Sequence, residues 1–237
     1  TGAQLRALDT SQIAALTSAQ ILSLGTDQVA AVATSQLAVF STSQITALGT
    51  SQLAALSTRQ VYALGSTQVA VLGTQQIQSF TSTQFAFLSA ASMGALSTVQ
   101  LAFLETTDLV ALVGRQLQAL SSEQMAALGT GQLARLTTLQ FASLGTANVR
   151  ALSTTQLASL ATTSLAAVAI DSLQALSTTQ IAALSTRQWL GLTTEQVAGL
   201  GTGNLSALST AQLVATATGT LAALGTSKLA SLATTLV

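Results

Sequence analysis

Apolar residues recur along this chain with a fixed period of eight. When the sequence is divided into blocks of eight from Leu8, 28 full octads run to Ser231 without a shift in register. We number the positions of each octad 1 to 8. Position 6 is a large apolar residue in all 28 octads, and position 1 is Leu in 23 of them. A repeat of this kind is interpreted first, because it determines the fold.

The period excludes both a continuous helix and a simple strand. Eight residues at about 100° each turn through about 800°, so the apolar stripe of one long helix would drift by about 80° per octad. In a strand, positions 1 and 6 would face opposite sides because their parity differs. Ala, Leu and Gln also favour helix over strand. The pattern therefore predicts one short helix per octad, interrupted each time at the same place.

The polar positions explain the interruption. Position 2 is mostly Ser, Gly, Thr or Ala, and Ser, Thr and Gly are favoured at helix N-caps. Gln at position 5, present in 20 octads, then falls at N3 and completes a capping box, as in Ser177 with Gln180. Positions 1 and 6 become the N′ and N4 residues of a hydrophobic staple. An alternative places the cap on Thr at position 3, and the sequence is compatible with both.

A single octad cannot fold alone. Burying two apolar side chains contributes about 3–6 kcal/mol, whereas ordering eight residues costs about 8–16 kcal/mol of backbone entropy. Each octad needs neighbours on both sides, as in a solenoid. Small residues at position 8 let backbones approach, and the bulky exceptions Phe87, Phe103 and Arg135 are expected at outward bulges. We predict an all-α solenoid, a superhelical rod of short capped helices, forming one domain over residues 1–237.

Composition limits the chemistry and suggests the surface. The 237 residues contain no Pro, Cys or His, which removes disulfides, thiolate metal sites and His-dependent triads. Charged residues make up 6%, against about 25% in an average domain. We expect a surface of Ser, Thr, Gln and Ala, with position 4, which carries seven of the 14 charges, the most exposed. This composition favours an extracellular or cell-surface location, and no apolar run is long enough for a membrane span.

Three stretches depart from the pattern, and they are 104–119, 160–175 and 216–223. In the last of these, Thr216 replaces the core Leu at position 1. Trp189 occupies position 6, which predicts burial. Tyr62 occupies position 7, which predicts exposure and makes it a candidate contact residue.

Few residues are candidates for chemistry. Glu105 and Asp108 are the carboxylates closest in sequence, and substitution at a helix cap explains them better than a metal pair. Asn204-Leu205-Ser206 matches a glycosylation sequon. No Gly-rich phosphate loop is present. The sequence thus predicts no catalytic, cofactor or metal site, and a protein that is not an enzyme.

Two resemblances bear on function. The segment Leu192-Thr193-Thr194-Glu195-Gln196-Val197 resembles the first helix of TAL-effector repeats and the L-T-x-x-Q motif of periplasmic Spy-type chaperones, over one capped turn. Reading DNA as TAL repeats do requires a second helix, a loop and a basic surface, and the net charge here is zero, so we expect no nucleic-acid binding.

Over its whole length, the L-[ST]-T-x-Q-[ILV]-A-A array resembles repeats of very large bacterial secreted or surface proteins described as adhesin-like. That resemblance implies surface structure or adhesion.

These observations favour a structural protein, a rod or fibre whose partner is a further copy of itself. Solenoids expose apolar ends unless a polar repeat caps them. Neither end of this sequence carries such a repeat, so we expect a segment of a longer array or end-to-end stacking into filaments. Low charge would also permit lateral association. The alternative is an adhesin-type binding module whose Thr/Gln-rich lattice binds glycan, another repeat array or ice.

Overall fold

The computed structural model describes residues 1–233, which form short α-helices and contain no strand. The helices are α1 Gly2–Ala7, α2 Thr10–Ala14, α3 Ser18–Leu22, α4 Thr26–Ala31, α5 Thr34–Ala38, α6 Thr42–Thr46, α7 Thr50–Ala54, α8 Thr58–Ala63, α9 Ser66–Ala70, α10 Thr74–Gln78, α11 Ser82–Phe87, α12 Ala90–Gly94, α13 Thr98–Ala102, α14 Thr106–Ala111, α15 Gly114–Gln118, α16 Ser122–Ala127, α17 Thr130–Leu133, α18 Thr138–Ser143, α19 Thr146–Arg150, α20 Thr154–Ala158, α21 Thr162–Ala167, α22 Ile170–Gln174, α23 Thr178–Ala182, α24 Thr186–Leu190, α25 Thr194–Gly199, α26 Thr202–Ser206, α27 Thr210–Ala215, α28 Thr218–Ala222 and α29 Thr226–Ala233.

The helix N-cap lies at position 2 of the octad. Ser177, with φ −70° and ψ 161°, accepts a hydrogen bond from the backbone N–H of Gln180 on its side chain. The backbone N–H of Ser177 in turn donates to Oε1 of Gln180 at 2.8 Å, which completes the capping box. Where position 2 is Gly25, the N-cap N–H still donates to Gln28 Oε1 at 2.8 Å. The predicted capping box is confirmed, and the alternative with the cap at position 3 is wrong.

Each helix ends without a left-handed residue. No described residue has a positive φ, although helices commonly end on a Gly in that conformation. The chain instead leaves the helix through an extended residue at position 1, such as Leu64 with φ −64° and ψ 123°. The last carbonyl groups of the helix therefore need partners from elsewhere in the structure.

Positions 1 and 6 form the interior, as the sequence predicts. Ile181 at position 6 is fully buried and Leu184 at position 1 is 3% exposed. Position 4 is exposed in every octad, including the seven that carry a charge there. The position 1 residues Leu8, Leu16 and Leu24 are only partly buried, because no turn of the described chain precedes them.

The chain divides into two compact units, Thr1–Leu120 with α1–α15 and Ser121–Val237 with α16–α29. Within each unit, helices contact the third helix along the chain, as α5 contacts α8 and α8 contacts α11. Side-chain hydrogen bonds reach the fourth helix: Gln68 Nε2 in α9 donates to the carbonyl of Leu37 in α5, 31 residues away. One turn thus takes between three and four octads. The all-α solenoid with one helix per octad is confirmed.

Successive turns approach closely at position 8. A Cβ atom on Gly199 would lie 2.5 Å from Ile170 Cγ2, and one on Gly191 would lie 2.8 Å from Thr162 Cβ. Ile170 stands at position 3, where most octads have Thr, so Gly199 makes room for a larger residue in the adjacent turn. The bulky Phe87 and Phe103 at position 8 are 50% and 52% exposed, so about half of each side chain faces solvent.

Truncating a core residue should destabilise the solenoid far more than truncating a residue at position 4. We expect Ile181→Ala to lower the free energy of unfolding by about 2–5 kcal/mol, because it leaves a cavity among buried side chains. Arg187→Ala, at an exposed position 4, should change it by less than about 0.5 kcal/mol. Urea unfolding followed by circular dichroism measures the stability of both variants. Equal losses of stability would show that positions 6 and 4 are wrongly assigned to the buried and exposed faces.

Candidate functional site

The amide of the repeated Gln links two turns of the solenoid. Gln60 Oε1 accepts from the backbone N–H of its own N-cap, Ser57, at 2.8 Å. Gln60 Nε2 donates to the carbonyl oxygens of Val29 at 2.9 Å and Val32 at 2.8 Å, at the end of α4. Gln60 is 2% exposed. One side chain therefore caps the start of its own helix and the end of a helix in the previous turn.

The same bridge recurs through both units, and we call it the Gln ladder. The ladder includes Gln36, Gln44, Gln52, Gln60, Gln68, Gln76, Gln84, Gln100 and Gln116 in the first unit, and Gln156, Gln180, Gln188, Gln196 and Gln212 in the second. In the part of the chain that the structure describes, no buried side-chain nitrogen or oxygen lacks a partner.

The Gln ladder corrects one expectation. The sequence placed Gln on the surface as half of a Thr/Gln lattice, but most of these amides are buried, so that lattice is not available to a ligand. The capping box predicted from the sequence uses only the oxygen of the Gln amide. Sequence reasoning missed the role of Nε2, which donates to carbonyl oxygens of the previous turn. A signal for it existed, because a capping box accepts Glu as readily as Gln, yet no octad has Glu at position 5.

Other residues at position 5 keep a hydrogen-bond donor in the same place. Ser92 Oγ donates to the carbonyl of Leu64 at 2.8 Å, and Lys228 Nζ donates to the carbonyl of Ala198. Asn204 Nδ2 donates to the carbonyl of Leu176 at 3.2 Å. The sequon at Asn204 thus lies on a residue that is 8% exposed and whose amide is already bound within the fold.

Asp108 is the exception at position 5, since a carboxylate cannot donate. Its side chain is 5% exposed and accepts from Ser82 Oγ in an adjacent turn at 2.8 Å. Burial raises the pKa of Asp108, and the negative charge of Glu105 adds to this, while the Ser82 hydrogen bond opposes it. Glu105 itself is the exposed N-cap of α14. In residues 1–233, no group of three or more acidic, His or Cys residues is placed to hold a metal ion.

The irregular residue Thr216 is explained by Trp189. The indole is 2% exposed, as position 6 predicts, and its Nε1–H donates to Thr216 Oγ1 at 2.9 Å. The Thr216 hydroxyl then donates to the carbonyl of Gln212 at 2.8 Å. A Leu at position 216 would leave the indole N–H without this acceptor, so the two departures from the octad compensate each other.

Tyr62 lies on the surface, 61% exposed, as its position predicts. It lines an open groove of about 490 Å³ together with Thr34, Thr58, Arg59, Ala63 and Phe87. A second open groove, of about 310 Å³, lies beside Arg187 in the other unit. Neither groove contains the paired acid, base and nucleophile that would define a catalytic site.

The octad helices, the apolar interior and the Gln ladder define the class of this protein as a helical-solenoid repeat protein. A family model described as the ALTTAQ repeat matches residues 2–34, 23–58, 47–82, 101–138 and 168–202, which together make up more than half of the chain. The chain belongs to the ALTTAQ repeat family. A search of characterised proteins found no similar sequence. Among the described residues, no helix combines the length and apolar character that crossing a membrane requires.

Replacing a ladder Gln by Glu should destabilise the fold in a pH-dependent way. In Gln60→Glu, a carboxylate would face two carbonyl oxygens, and we expect the free energy of unfolding to fall by at least about 3 kcal/mol at neutral pH. Protonation restores a donor, so stability should recover as the pH falls through the raised pKa of the new carboxyl. Gln20→Glu is the control, because Gln20 is exposed and caps its own helix at the uncharged N-cap Thr17. Urea titrations from pH 3 to 8 measure the free energy of unfolding of both variants. The same loss and the same pH dependence in both would show that Gln60 Nε2 does not link the two turns.

Asp108 should make the folded state more stable in acid. Its folded-state pKa lies above the value of 3.8 in the unfolded chain. The stabilisation of the protonated form is complete below the unfolded pKa and is lost as the pH rises through the folded pKa. Asp108→Asn should remove this dependence and raise stability at pH 7 by about 1 kcal/mol, since an amide donates as Asn204 does. Thermal melts across pH 3–7 test this, with the exposed Glu123→Gln as control. An unchanged dependence of stability on pH in Asp108→Asn would contradict the prediction.

Trp189 and Thr216 should be energetically coupled. Thr216→Val removes the acceptor of a buried indole N–H and should cost about 1–3 kcal/mol. In the Trp189→Phe background, no indole N–H remains, so the same change should cost much less. A double-mutant cycle in urea should give a coupling of about 1 kcal/mol or more. Additive losses would mean that the hydrogen bond contributes nothing.

Proposed function

We propose that this chain is a structural repeat protein without enzymatic activity, which forms a rod or fibre outside the cell or at its surface. The observation that carries the proposal is the Gln ladder, because it makes each turn complete only when another turn follows. Such an architecture extends a chain in one direction by adding identical units, which is the property a scaffold or spacer needs.

The surface supports an extracellular location. Positions 2 and 3 carry mostly Ser, Thr and Gly, and charged residues make up 6% of the chain. Proteins of the cytosol usually hold more charge, which keeps crowded molecules apart. A neutral surface of hydroxyl groups is suited to a rod that lies beside other rods.

Self-association end to end is the second part of the proposal. Leu8, Leu16 and Leu24 are partly exposed, whereas the position 1 residues of the following turn, such as Leu48 and Leu56, are buried. The face of a turn that lacks a neighbour is therefore apolar. More octads of one chain or the turn of another copy would cover it, and contacts of this head-to-tail kind do not close.

Sedimentation velocity tests self-association directly. Residues 1–237 should form large species whose size increases with concentration, because apolar turn faces cover one another. Leu16→Lys places a charge on the uncovered face and should shift the distribution toward monomer. Ser51→Lys, at an exposed position 4, is the matched control and should leave the distribution unchanged. A stable monomer at high concentration would rule out end-to-end assembly.

A further inference from the structure

The groove around Tyr62 is built by three successive turns of the first unit. Thr34 comes from α5, Thr58 to Ala63 from α8 and Phe87 from α11, and these helices contact one another in that order. An offset of 25 residues joins neighbouring turns, as in the hydrogen bond from Ser18 Oγ to the carbonyl of Ser43. The same offset separates Tyr62 from Phe87. The solenoid thus brings two exposed aromatic residues, one from each of two neighbouring turns, to the same groove.

These two aromatic residues are not needed for the core. Tyr62 stands at position 7 and Phe87 at position 8, where most octads have a small residue, and they are 61% and 50% exposed. Phe103 is also exposed, at 52%, but it lies outside the groove. The remaining aromatic residues are buried, and they are Phe40, Phe80, Phe85, Phe141 and Trp189. Exposed rings that do not pack inside a fold are typical of contact surfaces.

The groove also carries one positive charge. Arg59, at the exposed position 4, lines it, and no acidic side chain does. Within residues 1–233, the Arg59 guanidinium forms no hydrogen bond or ion pair. Thr34 and Thr58, which carry hydroxyl groups, line the same groove. The groove therefore combines flat apolar faces, hydroxyl groups and an unneutralised planar cation.

We propose that this groove binds an acidic saccharide, a sugar ring that carries a carboxylate. The C–H groups on one face of a sugar ring carry a partial positive charge and stack on the negative face of an aromatic ring. A carboxylate accepts paired hydrogen bonds from a guanidinium, which makes Arg59 complementary to it in charge and geometry. The sugar hydroxyls then exchange hydrogen bonds with Thr34 and Thr58. An apolar peptide would use the rings and leave Arg59 without a partner, so the charge favours the acidic sugar.

This site goes beyond the scaffold function and does not depend on it. The groove lies within one unit, so a monomer presents it as completely as a fibre would. Its two rings and its arginine are exposed, and their replacement leaves the core and the Gln ladder intact.

Calorimetric titration with a tetramer of galacturonic acid tests the proposal, with maltotetraose as the neutral counterpart. The full chain should bind the acidic tetramer at least tenfold more tightly than the neutral one, and less tightly as salt is added. Tyr62→Ala and Phe87→Ala should each weaken binding of the acidic tetramer at least tenfold. Arg59→Gln should abolish the preference for it. Phe103→Ala and Arg115→Gln, exposed residues of the same types outside the groove, should change nothing.

Three outcomes would overturn the assignment. They are no binding by the unchanged chain, equal affinity for both tetramers, and affinity that survives loss of either ring. Sedimentation of the same variants separates this result from the scaffold proposal, because the groove variants should assemble as the unchanged chain does. Loss of assembly in Leu16→Lys with saccharide binding retained would likewise show that the two properties are independent.

Discussion

The hydrogen bonds of one amide group hold this structure together. A helix of five or six residues has more unpaired backbone groups than paired ones, and alone it is unstable in water. Gln at position 5 supplies partners for both kinds of helix end. Its oxygen accepts from the N-cap N–H of its own helix, and its nitrogen donates to the last carbonyl groups of a helix in the previous turn. Because a carboxylate offers only the first of these, the repeat uses Gln rather than Glu. The side chains at positions 1 and 6 then bury enough apolar surface to hold the turns together.

The departures from the octad show how strict this constraint is. Ser92, Asn204 and Lys228 differ in size and charge, yet each keeps a donor for a carbonyl of the previous turn. Trp189 is tolerated in the core because Thr216, one turn later, supplies an acceptor for its indole N–H. Asp108 is the exception, because its carboxylate cannot donate, and burial raises the pKa of its carboxyl.

Because positions 1, 5 and 6 form the interior along the solenoid, the side of the solenoid interacts with other molecules through positions 3, 4, 7 and 8. The charges at position 4 and the rings of Tyr62 and Phe87 occupy these places. A solenoid of this design can therefore vary its surface without altering its interior. The proposed scaffold function and the proposed saccharide groove use different residues, which allows one chain to combine both.

The sequence by itself determined the period and the two core positions, and it predicted a capping box with the N-cap at position 2 or, as the alternative, a cap at position 3, because these features depend on residues within eight of one another. It also indicated that Trp189 is buried and Tyr62 exposed. The tertiary structure alone decided the number of octads per turn, and with it which distant residues meet: Gln60 with Val32, Gly199 with Ile170, and Tyr62 with Phe87. Those contacts depend on the angle through which the chain turns from one helix to the next. That angle is set by how side chains pack between turns, and the spacing of residues along the chain does not encode it.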